Sequence, residues 1–238
     1  SGITLLGAGM SQPPSGAAGD PNWASVVLLA LHENGPDAGT TFTDQSSSGK
    51  ALTANGNAQW DTAQAPTGLT SSGLFDGAGD YVSAADSADW TLSTIWTIEA
   101  WVRFASLTGN KVVINHGYQN ANDRGWLLYK ASDGTLHLAR STGGANNSDV
   151  GRTWSPSANV WYHVAACDDG SNCRLFSDGS QLGLNLATVN IGNSAQILTM
   201  GSELTSHLNG WVAAIRVTGG VARYTANFTP PTLPLPTS

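Results

Sequence analysis

The fold is decided by the stretch Trp96-Thr-Ile-Glu-Ala-Trp-Val-Arg-Phe104. Apolar positions alternate with mostly polar ones along its nine residues. The apolar face consists of Trp96, Ile98, Ala100, Val102 and Phe104, and the other face of Thr97, Glu99, Trp101 and Arg103. Because successive side chains of a strand point to opposite faces, this alternation predicts a β-strand with one face in a hydrophobic core.

Further strands are predicted on both sides of this stretch. Their spans are 111–116, 125–131, 135–141, 160–167, 173–178, 195–201 and 210–218, and the apolar run at 26–31 fits a buried strand. Turn sequences separate them, namely Ser132-Asp-Gly134, 168–172 and Asp178-Gly-Ser180. The regular spacing of turns predicts an all-β fold, a two-sheet antiparallel β-sandwich.

The composition agrees with a single β domain. Of 238 residues, 40% are apolar and 11% charged, and only three are Glu and three Lys, which leaves little material for long amphipathic helices. We divide the chain into an extended N-terminal arm at 1–24, a sandwich domain at 25–229 and a Pro-rich tail at 230–238. The two end segments lack any hydrophobic periodicity.

The charge pattern argues against two kinds of partner. The formal net charge is −7, and no cluster of Lys and Arg is present to neutralise phosphates, so we expect no nucleic-acid binding. The longest apolar run, at 26–31, is too short to span a bilayer, so we expect no membrane partner. No secretory signal pattern opens the sequence.

Five pieces of the sequence, in order, resemble the laminin-G-like (concanavalin A-like) jelly-roll family. They are Ser72-Gly-Leu-Phe-Asp-Gly-Ala-Gly-Asp-Tyr-Val82, the 96–104 stretch, Val160-Trp-Tyr-His-Val-Ala165, Arg174-Leu-Phe-Ser-Asp-Gly179 and Leu208-Asn-Gly-Trp-Val-Ala-Ala-Ile-Arg-Val217. The resemblance covers roughly residues 25–230. It implies a concanavalin A-like jelly roll in which these pieces are core strands.

A narrower resemblance points to tailed bacteriophages. The ending Arg216-Val-Thr-Gly-Gly-Val-Ala-Arg-Tyr-Thr-Ala-Asn-Phe-Thr-Pro-Pro231 and the opening Ile3-Thr-Leu-Leu-Gly-Ala-Gly9 are similar to pieces of phage virion proteins. This implies a location on the virion surface after synthesis in the host bacterial cytoplasm. Neighbouring capsid or tail proteins would be partners, with homo-oligomers expected. The arm would bind them through Ile3, Leu5 and Leu6.

No catalytic residues are identified. Glycosidases with this kind of sandwich carry two or three alternating carboxylates, whereas Glu99 is the only carboxylate in its strand. With Arg103 nearby, Glu99 fits a structural ion pair or a sheet-face residue better than a catalytic acid. We therefore expect a protein that is not an enzyme.

Calcium is a common cofactor of the family that the chain resembles. Asp76 and Asp80 are the candidate ligands, although Asp-Gly is also ordinary turn chemistry. Members of that family often have an Asp-Glu pair where this sequence has Ala213-Ala214. That departure lowers the expectation of a metal site, and we predict no cofactor.

Nine tryptophans allow two interpretations, a sugar-stacking platform or core packing. We assign Trp96, Trp161 and Trp211 to the core. Trp126 and Trp154 lie near Asn-rich stretches predicted to be loops, 119–122 and 146–147, and are the candidates for exposed sugar-binding residues. Packing is favoured over sugar binding even for these two.

The two cysteines, Cys167 and Cys173, bracket a five-residue hairpin loop. Residues in such positions face each other across two strands, close to disulfide geometry. We expect a disulfide in an oxidising medium, with two free thiols as the open alternative.

Two functions remain open. The first is a non-enzymatic phage virion surface protein, most simply a capsid decoration protein that binds its neighbours through its arms. The alternative is a carbohydrate-binding module, either a receptor binder on a phage tail that attaches to a cell-surface glycan or a secreted lectin.

Overall fold

The computed structural model describes residues 19–118, 123–142, 146–188 and 191–238. Within these ranges the chain forms two large antiparallel sheets, which confirms the predicted all-β sandwich. Helical structure in the described residues is limited to two 3₁₀ turns, Trp23–Ser25 and Ala88–Trp90. No helix in this part of the chain has the length and apolar character needed to cross a membrane.

The first sheet has nine strands; strands are numbered β1 to β18 in chain order. Its strands are β1 (Val26–Ala30), β3 (Gln59–Asp61), β4 (Ser72–Asp76), β6 (Ile95–Phe104), β11 (Trp161–Asp169), β12 (Asn172–Ser177), β13 (Ser180–Gln181), β14 (Leu186–Ala187) and β18 (Asn209–Gly219). Their order is β13-β12-β11-β6-β18-β4-β3, with β1 also paired to β18 and β14 to β12. The decisive stretch of the sequence is thus the central strand, β6.

The second sheet has seven strands. They are β2 (Leu52–Asn55), β5 (Tyr81–Ala84), β7 (Lys111–Tyr118), β8 (Asp123–Lys130), β9 (Thr135–Thr142), β10 (Asn146–Thr153) and β15 (Leu198–Met200). Their order is β10-β9-β8-β7-β15-β5-β2. A separate small hairpin consists of β16 (Ser202–Glu203) and β17 (Ser206–His207) and lies beside β7.

The core lies between the inner faces of the two sheets. All five apolar side chains of the β6 alternation are fully buried there, as predicted. Large aromatic side chains from other elements join them, including Trp60, Phe75, Trp90 and Trp126. Because each aromatic ring buries a large apolar area, this layer contributes most of the hydrophobic stabilisation.

The outer face of the nine-stranded sheet is largely covered by the two ends of the described chain. Phe228 packs on Phe176, and its amide donates to the Gly179 carbonyl (2.9 Å). Leu235 is buried, and its amide donates to Nε2 of His32 (2.6 Å). Residues 19–24 and 230–238, assigned above to an arm and a tail, pack on the sandwich. Gly19 lies so close to Ser238 that a side chain on Gly19 would overlap the Ser238 carbonyl.

A buried charge cluster lies beneath these end segments, centred on Glu99. Its carboxylate accepts from Arg216 Nε (2.8 Å), His163 Nε2 (2.9 Å) and the Tyr224 hydroxyl (2.7 Å). Glu99 is therefore a structural ion-pair residue, as expected, but its partner is Arg216, whereas Arg103 lies elsewhere on the face. Burial alone would raise the pKa of Glu99, but Arg216 and His163 outweigh it and lower the pKa to about 2.

Asp20 connects the N-terminal side of the described chain to the same cluster. Its carboxylate is buried and pairs with Arg216 (3.1 Å) and Arg223 (2.7 Å). Arg223 and Tyr224 come from the segment after β18, so one ionic network holds both end segments against the centre of the sheet.

Candidate binding cleft

Both candidate sugar-stacking tryptophans are buried, so neither is exposed to a sugar. Trp126 is 0% exposed, and its indole N–H donates to the Trp90 carbonyl (2.9 Å). Trp154 is 6% exposed and packs edge-on against Phe104 and Tyr162. The preferred alternative, core packing, is confirmed for both. The Asn146-Asn147 segment, expected to be a loop, begins strand β10.

The two candidate calcium ligands, Asp76 and Asp80, accept backbone hydrogen bonds in turns. Asp80 is buried and accepts from the amides of Asp76 (2.8 Å) and Asn57 (2.5 Å). Asp76 accepts from the Ala78 amide (2.7 Å). Among the described residues, no three His, Cys, Asp or Glu side chains gather in a group that could hold a metal ion.

The predicted disulfide is not formed. In the β11–β12 ladder Cys173 faces Asp168, and Cys167 faces Arg174. The pairing is offset by one residue, and a one-residue offset places the two side chains on opposite faces of the sheet. Cys167 packs with Phe176 on the outer face, and Cys173 points into the core. Both are buried free thiols, which was the alternative left open.

Two tryptophans assigned to the core lie on the outer face of the nine-stranded sheet. Trp161 and Trp211 are half-buried and sit on either side of Arg103 in the register of β11, β6 and β18. Trp96 alone of the three is in the core. The arm residues Ile3, Leu5 and Leu6 lie outside the described residues.

The outer face of the seven-stranded sheet carries an open cleft that sequence reasoning missed. The β16–β17 hairpin stands on this face, and a recess opens on each side of it. The first, of about 100 Å³, is lined by Asn110, Val112, Arg124, Leu127, Tyr129, Asp149, Glu203 and Ser206. The second, of about 220 Å³, is lined by Gly79, Tyr81, Thr199, Ser202, Glu203, Leu204 and His207. Glu203 belongs to both, and we call the two recesses together the hairpin cleft.

A hydrogen-bonded group of side chains from three adjacent strands forms one wall of the first recess. Asp149 on β10 accepts from the Tyr129 hydroxyl (2.5 Å) and from His137 Nδ1 (2.7 Å). The other ring nitrogen of His137 bonds to the Thr135 hydroxyl. Opposite His137, Gly151 leaves room for the imidazole, since a Cβ on Gly151 would overlap that ring.

Burial and this hydrogen bonding determine the protonation states of Asp149 and Tyr129. Burial raises the pKa of the Asp149 carboxyl, but hydrogen bonds from His137 and Tyr129 outweigh it, so the net pKa is lowered. Burial and the neighbouring carboxylate raise the pKa of Tyr129. At neutral pH, Asp149 is therefore an anion and Tyr129 a neutral donor. The Asp149 side chain is 38% exposed, so its oxygens remain accessible from the recess.

An ion pair separates the two recesses. Arg124 on β8 pairs with Glu203 on the hairpin, and their side chains are only 4% and 6% exposed. A buried pair of this kind holds the hairpin at a fixed position on the sheet. The sequence signal was available but weak: Glu203 is one of three glutamates in the chain, and its partner lies 79 residues away.

Solved structures share the fold at low sequence identity. One is of botulinum neurotoxin type C, in work on its cell entry through two ganglioside molecules (TM-score 0.61, 14% identity, 83% of this chain and 48% of that chain). Another is the binding domain of botulinum neurotoxin DC in complex with rat synaptotagmin II (TM-score 0.61, 15% identity, 82% and 48%). The chain spans about half the length of these neurotoxin chains.

A third similar structure has nearly the same extent as this chain. It is domain 4 of AbnA, a GH43 extracellular arabinanase from Geobacillus stearothermophilus, in complex with arabinotriose (TM-score 0.60, 15% identity, 83% of this chain and 94% of that chain). A search of curated proteins found no match to the sequence. At these identities the similar structures show the fold alone.

The sequence itself identifies the family. The family model described as the concanavalin A-like lectin/glucanases superfamily matches residues 76–221, which is more than half of the chain. The match runs from the end of β4 through β18 and includes the central strands of both sheets. The chain belongs to the concanavalin A-like lectin/glucanases superfamily.

Proposed function

We propose that this chain is a non-catalytic carbohydrate-binding domain and that the hairpin cleft binds a short neutral oligosaccharide. The observation that carries the proposal is the fixed Tyr129–Asp149–His137 group beside an open recess, in which the Asp149 side chain is 38% exposed. Binding sites differ from ordinary polar surface in that their polar groups are held in place before the ligand arrives.

The chemistry of the recess suits sugars. Sugar hydroxyls both donate and accept hydrogen bonds, and the lining offers the Asp149 carboxylate together with Asn110 and Ser206. In the second recess Tyr81 supplies flat apolar surface, whereas Tyr129 is 8% exposed and contributes through its hydroxyl. The combined volume of about 100 and 220 Å³ fits one or two sugar rings in a shallow site.

The charges favour a neutral ligand. Two carboxylates, Asp149 and Glu203, line the cleft, and its arginine, Arg124, already has a carboxylate partner. An anionic sugar would meet net repulsion there. The arabinanase domain with arabinotriose supports this proposal, because a neutral oligosaccharide is the ligand of that protein.

The same carboxylates support a binding role without catalysis. A glycosidase needs one carboxylic acid that gives up a proton and a second carboxylate near the scissile bond. Asp149 is held as an anion by two donors, and Glu203 is bound to Arg124. Glu99, the carboxylate of the central strand, is 1% exposed beneath the end segments.

The test is a glycan array of neutral and acidic oligosaccharides that includes arabino-oligosaccharides, followed by calorimetry on the best ligand. Asp149→Asn and Tyr129→Phe should each weaken binding about ten-fold, because each removes a hydrogen-bonding group of the recess. Tyr162→Phe, which removes a hydroxyl outside the cleft, is the control and should bind normally. Absence of any glycan ligand at millimolar concentration, or equal loss in all three variants, contradicts the proposal.

We also propose a place for this domain on the surface of a tailed-phage particle, made in the host cytoplasm. The support is the similarity of residues 216–231 to virion proteins, in a segment that supplies Arg216, Arg223, Tyr224 and Phe228 to the cover of the nine-stranded sheet. Quantitative proteomics of purified particles tests it. Hundreds of copies per particle would indicate head decoration, a few copies a tail protein, and absence from particles would refute the location.

A further inference from the structure

A row of three large side chains crosses the uncovered end of the nine-stranded sheet. Trp161 on β11, Arg103 on β6 and Trp211 on β18 lie directly side by side in the strand register. Cross-strand neighbours point to the same face, here the outer one. Both indoles are half-buried, and Val160 beside Trp161 is 43% exposed. We call these three residues the tryptophan row.

Contacts with neighbouring residues hold Arg103 and Trp211 in place. The Arg103 guanidinium lies over the Trp211 ring, 5.2 Å from its centroid, and donates to the carbonyl of Asn159. The Trp211 indole N–H donates to Asp61 Oδ2 (2.7 Å). Asp61 Oδ1 accepts from the Ala63 amide (2.7 Å), so this carboxylate is already engaged. Two of the three side chains of the row are thus held in place before any ligand binds.

The charge of Arg103 is not compensated by an ion pair in the described part of the chain. Four other arginines each pair with a carboxylate within 4.0 Å, namely Arg124, Arg174, Arg216 and Arg223. Arg103 instead donates hydrogen bonds to the neutral residue Asn159. In a protein of net charge −7, an unpaired arginine between two aromatic rings is a local positive site. Its planar guanidinium suits a carboxylate.

We propose that the tryptophan row is a second binding site, for a chain of acidic sugars. The carboxylate of one sugar would bind Arg103, and apolar faces of flanking sugars would stack on Trp161 and Trp211. The two indoles are separated by two strand spacings, about 10 Å, so a ligand that contacts both is an extended chain. This charge preference is opposite to that of the hairpin cleft.

The second site does not depend on the first. The tryptophan row is on the outer face of one sheet and the hairpin cleft on the outer face of the other, so the two point in opposite directions. Each can therefore be removed by mutation without touching the other. Failure of one proposal leaves the other standing.

The test is affinity electrophoresis in gels that contain polygalacturonate, hyaluronate or, as the neutral polymer, dextran. The native protein should be retarded by at least one acidic polymer, and added NaCl should reduce that retardation. Any retardation by dextran should depend neither on NaCl nor on Arg103. Arg103→Gln and Trp161→Ala should each weaken binding ten-fold or more. Arg103→Lys, which keeps the charge but loses the planar fork, should give an intermediate effect.

Two controls make the result decisive. Arg152→Gln removes the same charge from the seven-stranded sheet, where Arg152 donates to backbone carbonyls of residues 184 and 185. Leu184→Ala removes an exposed side chain that belongs to neither proposed site. Both variants should be retarded like the native protein. The proposal is overturned if neither acidic polymer retards the native protein, if Arg103→Gln and Arg152→Gln weaken retardation equally, or if a folded Arg103→Gln protein is retarded normally.

Discussion

At the scale of single residues, Gly151 is the residue on which the cleft wall most depends. Its missing side chain leaves the space that the His137 imidazole occupies, and His137 in turn holds Asp149. Gly151→Ala should push the ring away from the carboxylate and weaken oligosaccharide binding about ten-fold, with little loss of stability. Calorimetry measures the loss of binding, and the NMR chemical shifts of the His137 imidazole report the displacement of the ring. Gly219→Ala, where a Cβ meets only ordinary contacts, should change neither.

Trp126 offers a direct test of its position in the core. Since it is fully buried and donates to the Trp90 carbonyl, Trp126→Ala should lower the free energy of unfolding by about 3–5 kcal/mol. Urea unfolding measures this change. Leu184→Ala, at a side chain that is 84% exposed, should stay within about 0.5 kcal/mol of the native protein. Equal stability of the two variants would place Trp126 outside the core.

The cysteines should behave as inert thiols. Burial raises the pKa of both Cys167 and Cys173, and only a thiolate reacts readily. Ellman's reagent should detect almost no thiol in the native protein and two thiols per chain after unfolding in denaturant without reductant. If the unfolded protein shows no reactive thiol, the two cysteines form a disulfide.

At the scale of elements, the β16–β17 hairpin is held by one buried ion pair. Removing the charge of Glu203 leaves Arg124 buried without its partner, so Glu203→Gln should cost about 3–5 kcal/mol of stability. The double variant Arg124→Met, Glu203→Met removes both charges and should recover much of that loss, which urea unfolding would show. A double variant as unstable as the single one would mean that packing holds the hairpin.

The sequence predicts a strand where apolar and polar side chains alternate. It does not always predict which side chains face the core. β6 gives a clear period of two, and the structure extends it by only one residue. β10 begins with Asn146-Asn147, and its side chains do not alternate between apolar and polar, so the sequence predicts a loop at 146–147 instead of a strand. The one-residue offset of β11 against β12 separates the two cysteines. Trp211 lies on the opposite face from Ile215 and Val217 because the register of β18 against β6 shifts between Ala213 and Arg216, and local periodicity does not encode such a shift.

The candidate site was harder to predict than the fold. Its residues come from two strands and a hairpin: Arg124 and Tyr129 from β8, Asp149 from β10 and Glu203 from β16. None forms a short motif with a residue of another element. Their proximity follows from the strand order β10-β9-β8-β7, which a single sequence does not reveal. The overall sandwich could be predicted because many strands share one simple pattern, the alternation of apolar and polar residues.

At the scale of the whole molecule, the Glu99 cluster links folding to pH. The pKa of Glu99 is about 2 in the folded protein against an ordinary value of 4.5, so its contribution is complete above about pH 4.5. As the pH falls toward 2, the folded state loses up to about 3 kcal/mol from this group.

Comparison of variants isolates this contribution. Urea unfolding between pH 7 and pH 2.5 should show a smaller acid-dependent loss for Glu99→Gln than for the native protein. Asp37→Asn, at an exposed carboxylate, should follow the native curve. Parallel curves for Glu99→Gln and the native protein would mean that the cluster has no role in acid unfolding.

The close contact between Gly19 and Ser238 has a topological consequence. Residues 19 to 238 form nearly a closed ring, so a short linker could join them and the chain could be reopened at the exposed loop around Leu184 as a circular permutant. For the same reason the sandwich could be grafted into a surface loop of a carrier protein through a single narrow stalk. The stalk would leave from the side of the nine-stranded sheet, and the hairpin cleft would face outward, away from the carrier.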